Sequence, residues 1–182
     1  GLANSTTPPS IDSRFPAPAS RNILTSSTNG TAVAFPTGSS DINNLSAAQR
    51  VELTGTQFTA TELALWLRGD QSREARNGGP FRDRPTGEIM GTIVNSQPFY
   101  SKAPDFGYQS ARKPAADGST GNAYRTFVND NKNYRPARIY VGSNEGMLHA
   151  FDVSGTPTTN SNYMNEVFAY VPRAVYPQIP AV

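Results

Sequence analysis

The run at residues 138–153, RIYVGSNEGMLHAFDV, constrains the fold more than any other stretch of this chain. It reads as two short strands joined by a tight corner. Side chains alternate along a strand, so Ile139 and Val141 share one face while Tyr140 takes the other. On the return strand Leu148 and Ala150 share a face, and Met147, His149 and Phe151 share the opposite one. Asn144 tolerates turn geometry, and Gly146 can take a positive φ without a Cβ clash. Both faces of the pair are largely apolar. A strand pair that is apolar on both sides belongs between stacked sheets, as in a propeller or a sandwich.

Composition points the same way. The chain has 182 residues, long enough for one domain with a real core. It holds 36% hydrophobic residues, 15 Gly and 15 Pro, the balance of loop-rich β structure. Charged residues are 16%, too few for a charge-driven disordered tail. A net charge of +2 offers no basic stripe, so no nucleic-acid partner is expected. The absence of Cys excludes disulfides, thiolate zinc sites and thiol catalysis. No run approaches the ~20 apolar residues of a membrane span. The sequence starts at Gly1 with no charged-then-apolar segment, so a mature or trimmed piece of something longer is expected.

Three regions follow from the pattern. Residues 1–44 read as an extended linker or arm, since 25 of the first forty are Ser, Thr, Asn, Gly or Pro. Within it RNILTSSTNGTAVAF can form a hairpin around Asn29-Gly30. Residues 45–86 read as a short helical connector and loop. Ser46 with Gln49, and Thr59 with Glu62, have the spacing of capping boxes. Leu63, Trp66 and Leu67 share one helical face, and Gly69 is placed to end that helix. Between Arg68 and Arg84 five arginines face Asp70, Glu74 and Asp83, and a solvated loop is expected there. Residues 87–182 read as strands. GEIMGTIVNSQPFYS suggests one, broken at Gly91 and bent at Pro98. Residues 101–136 suggest a surface excursion anchored by Tyr124 and Phe127, and NEVFAYVPRAVYPQI a third apolar strand.

VGSNEGMLHAFD followed by EVFAYVPRAVYP resembles the first-blade signature of the PilC/PilY family, proteins at the tip of type IV pili. GEIMGTIVNSQPFYS is similar to that family's Gly-Asp-Ile-Val-Asn-Ser-x-Pro strand, and the LRGD after Trp66 resembles its lead-in. The match covers roughly residues 45–182 in the expected order, with Glu88-Ile89-Met90 departing from the commoner Asp-Ile-Val. The resemblance implies a mainly β fold with short helices: a partial β-propeller, its first blade quinoprotein-like, preceded by a linker and two short helices. It implies a non-enzymatic component of the pilus tip or assembly machinery that promotes pilus biogenesis and surface adhesion. Its partners would be minor pilins, the remainder of the same polypeptide, and a host or abiotic surface. Its location would be extracytoplasmic, on the cell surface or pilus tip, with the outer membrane or periplasm crossed in transit. No cofactor is expected in this chain; the family's calcium loop lies late in the full-length propeller, and nothing here matches it. Because each blade buries its faces only against neighbours, an incomplete propeller is expected.

Candidate sites are few. Arg68-Gly69-Asp70 is the adhesion tripeptide that integrins read, and equally a helix C-terminus where Arg68 favours the dipole. NDNKN at residues 129–133 offers oxygens but lacks the calcium-loop frame. His149 is the single His, without the companions of a metal site. No Gly-x-Ser-x-Gly elbow or triad involving His149 is readable. Gly142, Asn144, Gly146, His149 and Asp152 are assigned to building the blade turn. Phe168, Tyr170 and Tyr176 could form a sticky surface, although Phe168 and Tyr170 at period two fit one strand face. Two other readings are a quinoprotein-type propeller dehydrogenase fragment, which shares the repeat pattern but not the ligand set, and a free-standing surface-binding module.

Overall fold

A computed structural model describes residues 14–85, 88–102, 123–128 and 135–181. The strands are β1 (Ile23–Ser26), β2 (Ala32–Ala34), β3 (Phe99–Ser101), β4 (Arg138–Gly142), β5 (Leu148–Asp152) and β6 (Glu166–Val171). They form one open, mixed sheet in the order β2-β1-β6-β5-β4-β3. Strands β3 to β6 are an antiparallel meander, one blade's worth of sheet, consistent with a partial propeller. The β1–β2 hairpin extends it: β1 pairs antiparallel with β2 and parallel with β6. Sequence order gives no hint of that parallel pairing.

Three helices accompany the sheet: α1 (Ala47–Glu52), α2 (Ala60–Arg68) and the short α3 (Ala123–Phe127), which carried no recognisable periodic signal. Both expected capping boxes form, Ser46 with Gln49 and Thr59 with Glu62. Each satisfies two helix-end donors that would otherwise lack partners. The α2 cap is Gly69, left-handed at φ 109°. A Cβ added there would meet Ile89 Cγ2 at 2.2 Å, so both conformation and space demand glycine.

Helix α2, with Leu53 at the end of α1, covers one face of the sheet. Leu63, Trp66 and Leu67 of α2 are buried with Ile23, Phe35, Leu45, Leu53, Ala169, Val171, Tyr176 and Ile179. Each fully buried Leu contributes about 1.5–3 kcal/mol. A smaller cluster of Phe15, Val141 and Phe151 continues the same face toward β4, with Ile89 and Met90 packed against it. Phe15 meets the Phe151 ring edge-on at 5.6 Å.

Registry fixes the opposite face. Gly142, Leu148, Tyr170, Leu24 and Ala34 form one row across the strands. Phe99, Tyr140, Ala150 and Phe168 form the next, with the Tyr140 and Phe168 rings 6.3 Å apart. Phe99 is 66% exposed, and Leu148 is exposed as well. Among the described residues no element lies across these rows as the helices do on the other side. The alternation read from the sequence holds: Tyr140, Leu148 and Ala150 face one way, while Val141, His149 and Phe151 face the other.

Two expectations are corrected. The strand expected over residues 87–101 is confined to Phe99–Ser101. Asn95 at φ 60° and Pro98 interrupt the ladder. The preceding backbone is tacked to the hairpin instead, by Asn144 N–H donating to Thr92 O at 2.9 Å and Gly142 N–H to Ser96 Oγ at 2.9 Å. The arginine-rich loop is not simply solvated: Glu74, Phe81 and Arg84 are buried.

Candidate functional site

Among the described residues, two clusters of buried charged side chains stand on the covered side of the sheet. The first centres on Glu166. Arg21 Nε donates to Glu166 Oε2 at 2.7 Å and Arg21 Nη2 to Oε1 at 2.8 Å, a bidentate pair with both side chains buried. Arg21 Nη1 also donates to the carbonyls of Leu67 and Arg68, binding the end of α2 to β6. His149 Nδ1 lies 2.8 Å from Glu166 Oε1, and its Nε2 lies 3.1 Å from Ser143 Oγ. Burial alone would push the Glu166 carboxyl up. The hydrogen bonds from Arg21 and His149 outweigh it and hold the group below the usual carboxylate range.

Ser143, His149 and Glu166 thus stand in nucleophile–base–orienter order, a chain the sequence did not disclose because Glu166 lies on another strand. Its surroundings differ from an acyl-transfer site. Glu166 is also held by Arg21, the imidazole is fully buried, and none of the described cavities borders Ser143. The chain ties the hairpin corner, β5, β6 and the segment before β1 into one unit.

The second cluster joins the loop after α2 to the hairpin corner. Glu145, fully buried, accepts from Arg84 Nε and from Arg82 Nη2, each at 2.9 Å. Arg84 Nη2 donates to Trp66 O at 2.7 Å, and its guanidinium lies 4.2 Å from the Trp66 ring centre. On the same indole Phe81 stacks at 5.1 Å. Glu74, also buried, pairs with Arg76. Burial pulls the Arg84 guanidinium below its usual value, against the opposing pull of Glu145. Sequence reading singled out Asn144 and Gly146 in the corner and passed over Glu145 between them.

The other residues singled out are spread through the blade. Gly146 turns the corner at φ 81°. Asn144 Nδ2 donates to Thr92 Oγ1 at 3.3 Å. Asp152, at the far end of β5, pairs with Arg138 at 2.8 Å and accepts from Ser154 N–H. Burial works to raise the Asp152 carboxyl, but these partners prevail and lower it. Tyr176 leaves the proposed aromatic surface: it is buried, its hydroxyl is 2.6 Å from Thr25 Oγ1, and burial pushes its pKa up to about 12. Phe168 and Tyr170 share the open face.

The adhesion tripeptide is not presented for recognition. Arg68 is 2% exposed, and its guanidinium donates to the carbonyls of Pro18, Ala19, Arg21 and Phe35. Gly69 is the buried helix cap, and Asp70 accepts from Ser72 N–H. The loop Asn129–Asn133 lies outside the described residues. Among the described residues no group of three or more His, Cys, Asp or Glu could hold a metal, and no helix is long and apolar enough to cross a membrane.

These features define a blade-like sheet module with one face locked by ion pairs and an apolar second face that no other element covers among the described residues. The chain is similar to curated type IV pilus biogenesis factors. It is 41% identical over 114 residues to a PilY1 homolog of Xylella fastidiosa (strain Temecula1 / ATCC 700964), covering 63% of this chain and 8% of that protein. It is 37% identical over 114 residues to PilY1 of Pseudomonas aeruginosa strain PAK, with the same coverages of 63% and 8%. With PilY1 of P. aeruginosa strain UCBPP-PA14 it shares 30% identity over 169 residues, 93% of this chain and 13% of that protein. The chain is of the PilY1 type, related to a segment of these type IV pilus biogenesis factors. It spans about a tenth of their length. No family model and no solved structure matches it.

Proposed function

We propose that this chain is a non-catalytic structural segment of a type IV pilus biogenesis factor and supplies the first blade of a β-propeller. The observation that carries the reading is the open sheet face. Leu24, Leu148, Phe168, Tyr170, Tyr140 and Phe99 make two apolar rows on a sheet whose other side carries the buried core. Such a face gains stability only when another sheet packs on it, about 10 Å away. Successive blades of the same polypeptide are the partner that a propeller provides. On this reading the module belongs to an extracytoplasmic protein at the pilus tip that meets minor pilins and contributes to surface adhesion; its similarity to type IV pilus biogenesis factors supports that setting.

The test is made in a bacterium that assembles type IV pili with a factor containing this segment. Leu148→Asp with Phe168→Asp in the full-length protein places two carboxylates on the open face and leaves the helix-covered core untouched. Fewer surface pili, counted by shearing and immunoblotting of pilin, is the expected outcome. Normal piliation after deletion of the whole segment would overturn the reading.

A further inference from the structure

Beyond the two apolar rows, three cations gather at the β3–β4 edge of the sheet. The third row across the strands is Ser101, Arg138 and Asp152. A cavity of about 310 Å³ opens there, lined by Ser101, Lys102, Arg135, Pro136, Arg138 and Tyr140. Among the described residues no carboxylate is in that lining.

We propose that this pocket binds a phosphomonoester carried on a sugar-sized body. Three cations converge on it, and their partners decide how much charge remains. Arg138 is neutralised by Asp152 at 2.8 Å. Lys102 and Arg135 meet no carboxylate among the described residues. The Arg135 guanidinium lies 5.3 Å from the centre of the Phe127 ring, a cation–π contact that steadies it. Two cations without a carboxylate partner among the described residues match a phosphomonoester, which carries about −1.5 to −2 charge at neutral pH. Arginine reads such oxygens through paired donors and lysine as a point charge.

The rest of the lining argues for more than a bare anion. The Ser101 and Tyr140 hydroxyls can exchange hydrogen bonds with sugar hydroxyls. The volume lies at the small end of the range of roughly 300–1,000 Å³ for small-molecule sites, larger than inorganic phosphate requires.

The 182-residue chain, labelled with ¹⁵N, is titrated with glucose 6-phosphate, inorganic phosphate and glucose at low salt. Glucose 6-phosphate is expected to shift the amides of Ser101, Lys102, Arg135 and Tyr140 to saturation. Inorganic phosphate should move the same amides at higher concentration, and glucose should move none. Lys102→Gln with Arg135→Gln should weaken glucose 6-phosphate binding about tenfold or more, the scale of losing charge-assisted hydrogen bonds. Arg50→Gln, on α1, should leave it unchanged. Both pocket cations are exposed, so the rest of the spectrum reports that the fold is intact. The proposal is overturned if none of these probes moves the four amides at millimolar concentration, if glucose moves them as strongly, or if the double variant binds like the parent. It is also overturned if vesicles of phosphatidylcholine with phosphatidic acid bind the chain while glucose 6-phosphate does not.

Discussion

Glu145, in the corner of the β4–β5 hairpin, accepts a 2.9 Å hydrogen bond from Arg84, sixty-one residues earlier in the chain. Both side chains are buried. The contact fastens the loop after α2 to the blade, and Arg84 in turn reaches the α2 carbonyl of Trp66. A lone buried charge is costly, whereas a buried pair is near neutral against a well-packed apolar substitute. Glu145→Ala strands Arg84 and is expected to cost about 3–5 kcal/mol in urea unfolding. Glu145→Leu with Arg84→Leu should cost less than the sum of the two single changes. Strict additivity in that double-mutant cycle would refute the coupling.

Glu166 sets an acid limit on stability. Its folded carboxyl is held below the usual range, so the native state releases this proton more readily than the unfolded chain does. The stabilisation is complete above the unfolded value of about 4.3 and is lost as pH falls through the lower folded value. Glu166→Gln should therefore flatten the decline of stability below that point. A variant whose denaturation midpoint falls with pH as steeply as the parent's would contradict the assignment.

Tyr176 acts at the other end of the scale. Its phenol ionises at about 12. Raised above the unfolded value of about 10, it contributes stability that is present below pH 10 and lost as pH rises from there toward 12. In an absorbance titration Tyr176→Phe should remove the last phenolate step. It should cost about 0.5–1.5 kcal/mol near neutral pH, toward the lower end because Thr25 Oγ1 also donates to Val171 O at 2.8 Å.

Gly69 and Gly146 both hold positive φ but differ in free space. Beside Gly146 a new Cβ would meet Val175 Cγ2 at 3.1 Å, a contact eased by a small shift. At Gly69 the clash with Ile89 is far tighter. Each Gly→Ala change carries the left-handed penalty of about 1–2 kcal/mol. Gly69→Ala should lower the melting temperature more, and the reverse order would show that space around the cap is not limiting.

Arg68 is a structural clasp, so Arg68→Ala should destabilise the chain strongly by orphaning the carbonyls it satisfies. Asp70→Glu, which disables integrin recognition of an exposed tripeptide, should leave binding of this chain to integrin-bearing cells unchanged. Loss of cell binding in that variant would return the tripeptide to an adhesive role.

Much of the local structure was legible because its cause is local. Ser46 with Gln49 and Thr59 with Glu62 bond within four residues, and Asn29-Gly30 and Asn144-Glu145-Gly146 turn the chain through their own backbone preferences. The two apolar faces of β4 and β5 follow from alternation alone. Where local signals conflicted, the reading failed: the apolar residues at 89–94 suggested a strand, but Asn95 and Pro98 confine the ladder to Phe99–Ser101.

The sequence by itself determined the caps, the corners, the helical face of Leu63, Trp66 and Leu67, and which strand residues face together. These depend on spacings of a few residues. Only the tertiary structure decided that β1 lies parallel to β6, that Arg84 finds Glu145, and that Glu166 completes a chain to His149 and Ser143. Those pairings join groups distant in the chain, and a charged residue in one segment carries no mark of the partner that burial will bring to it.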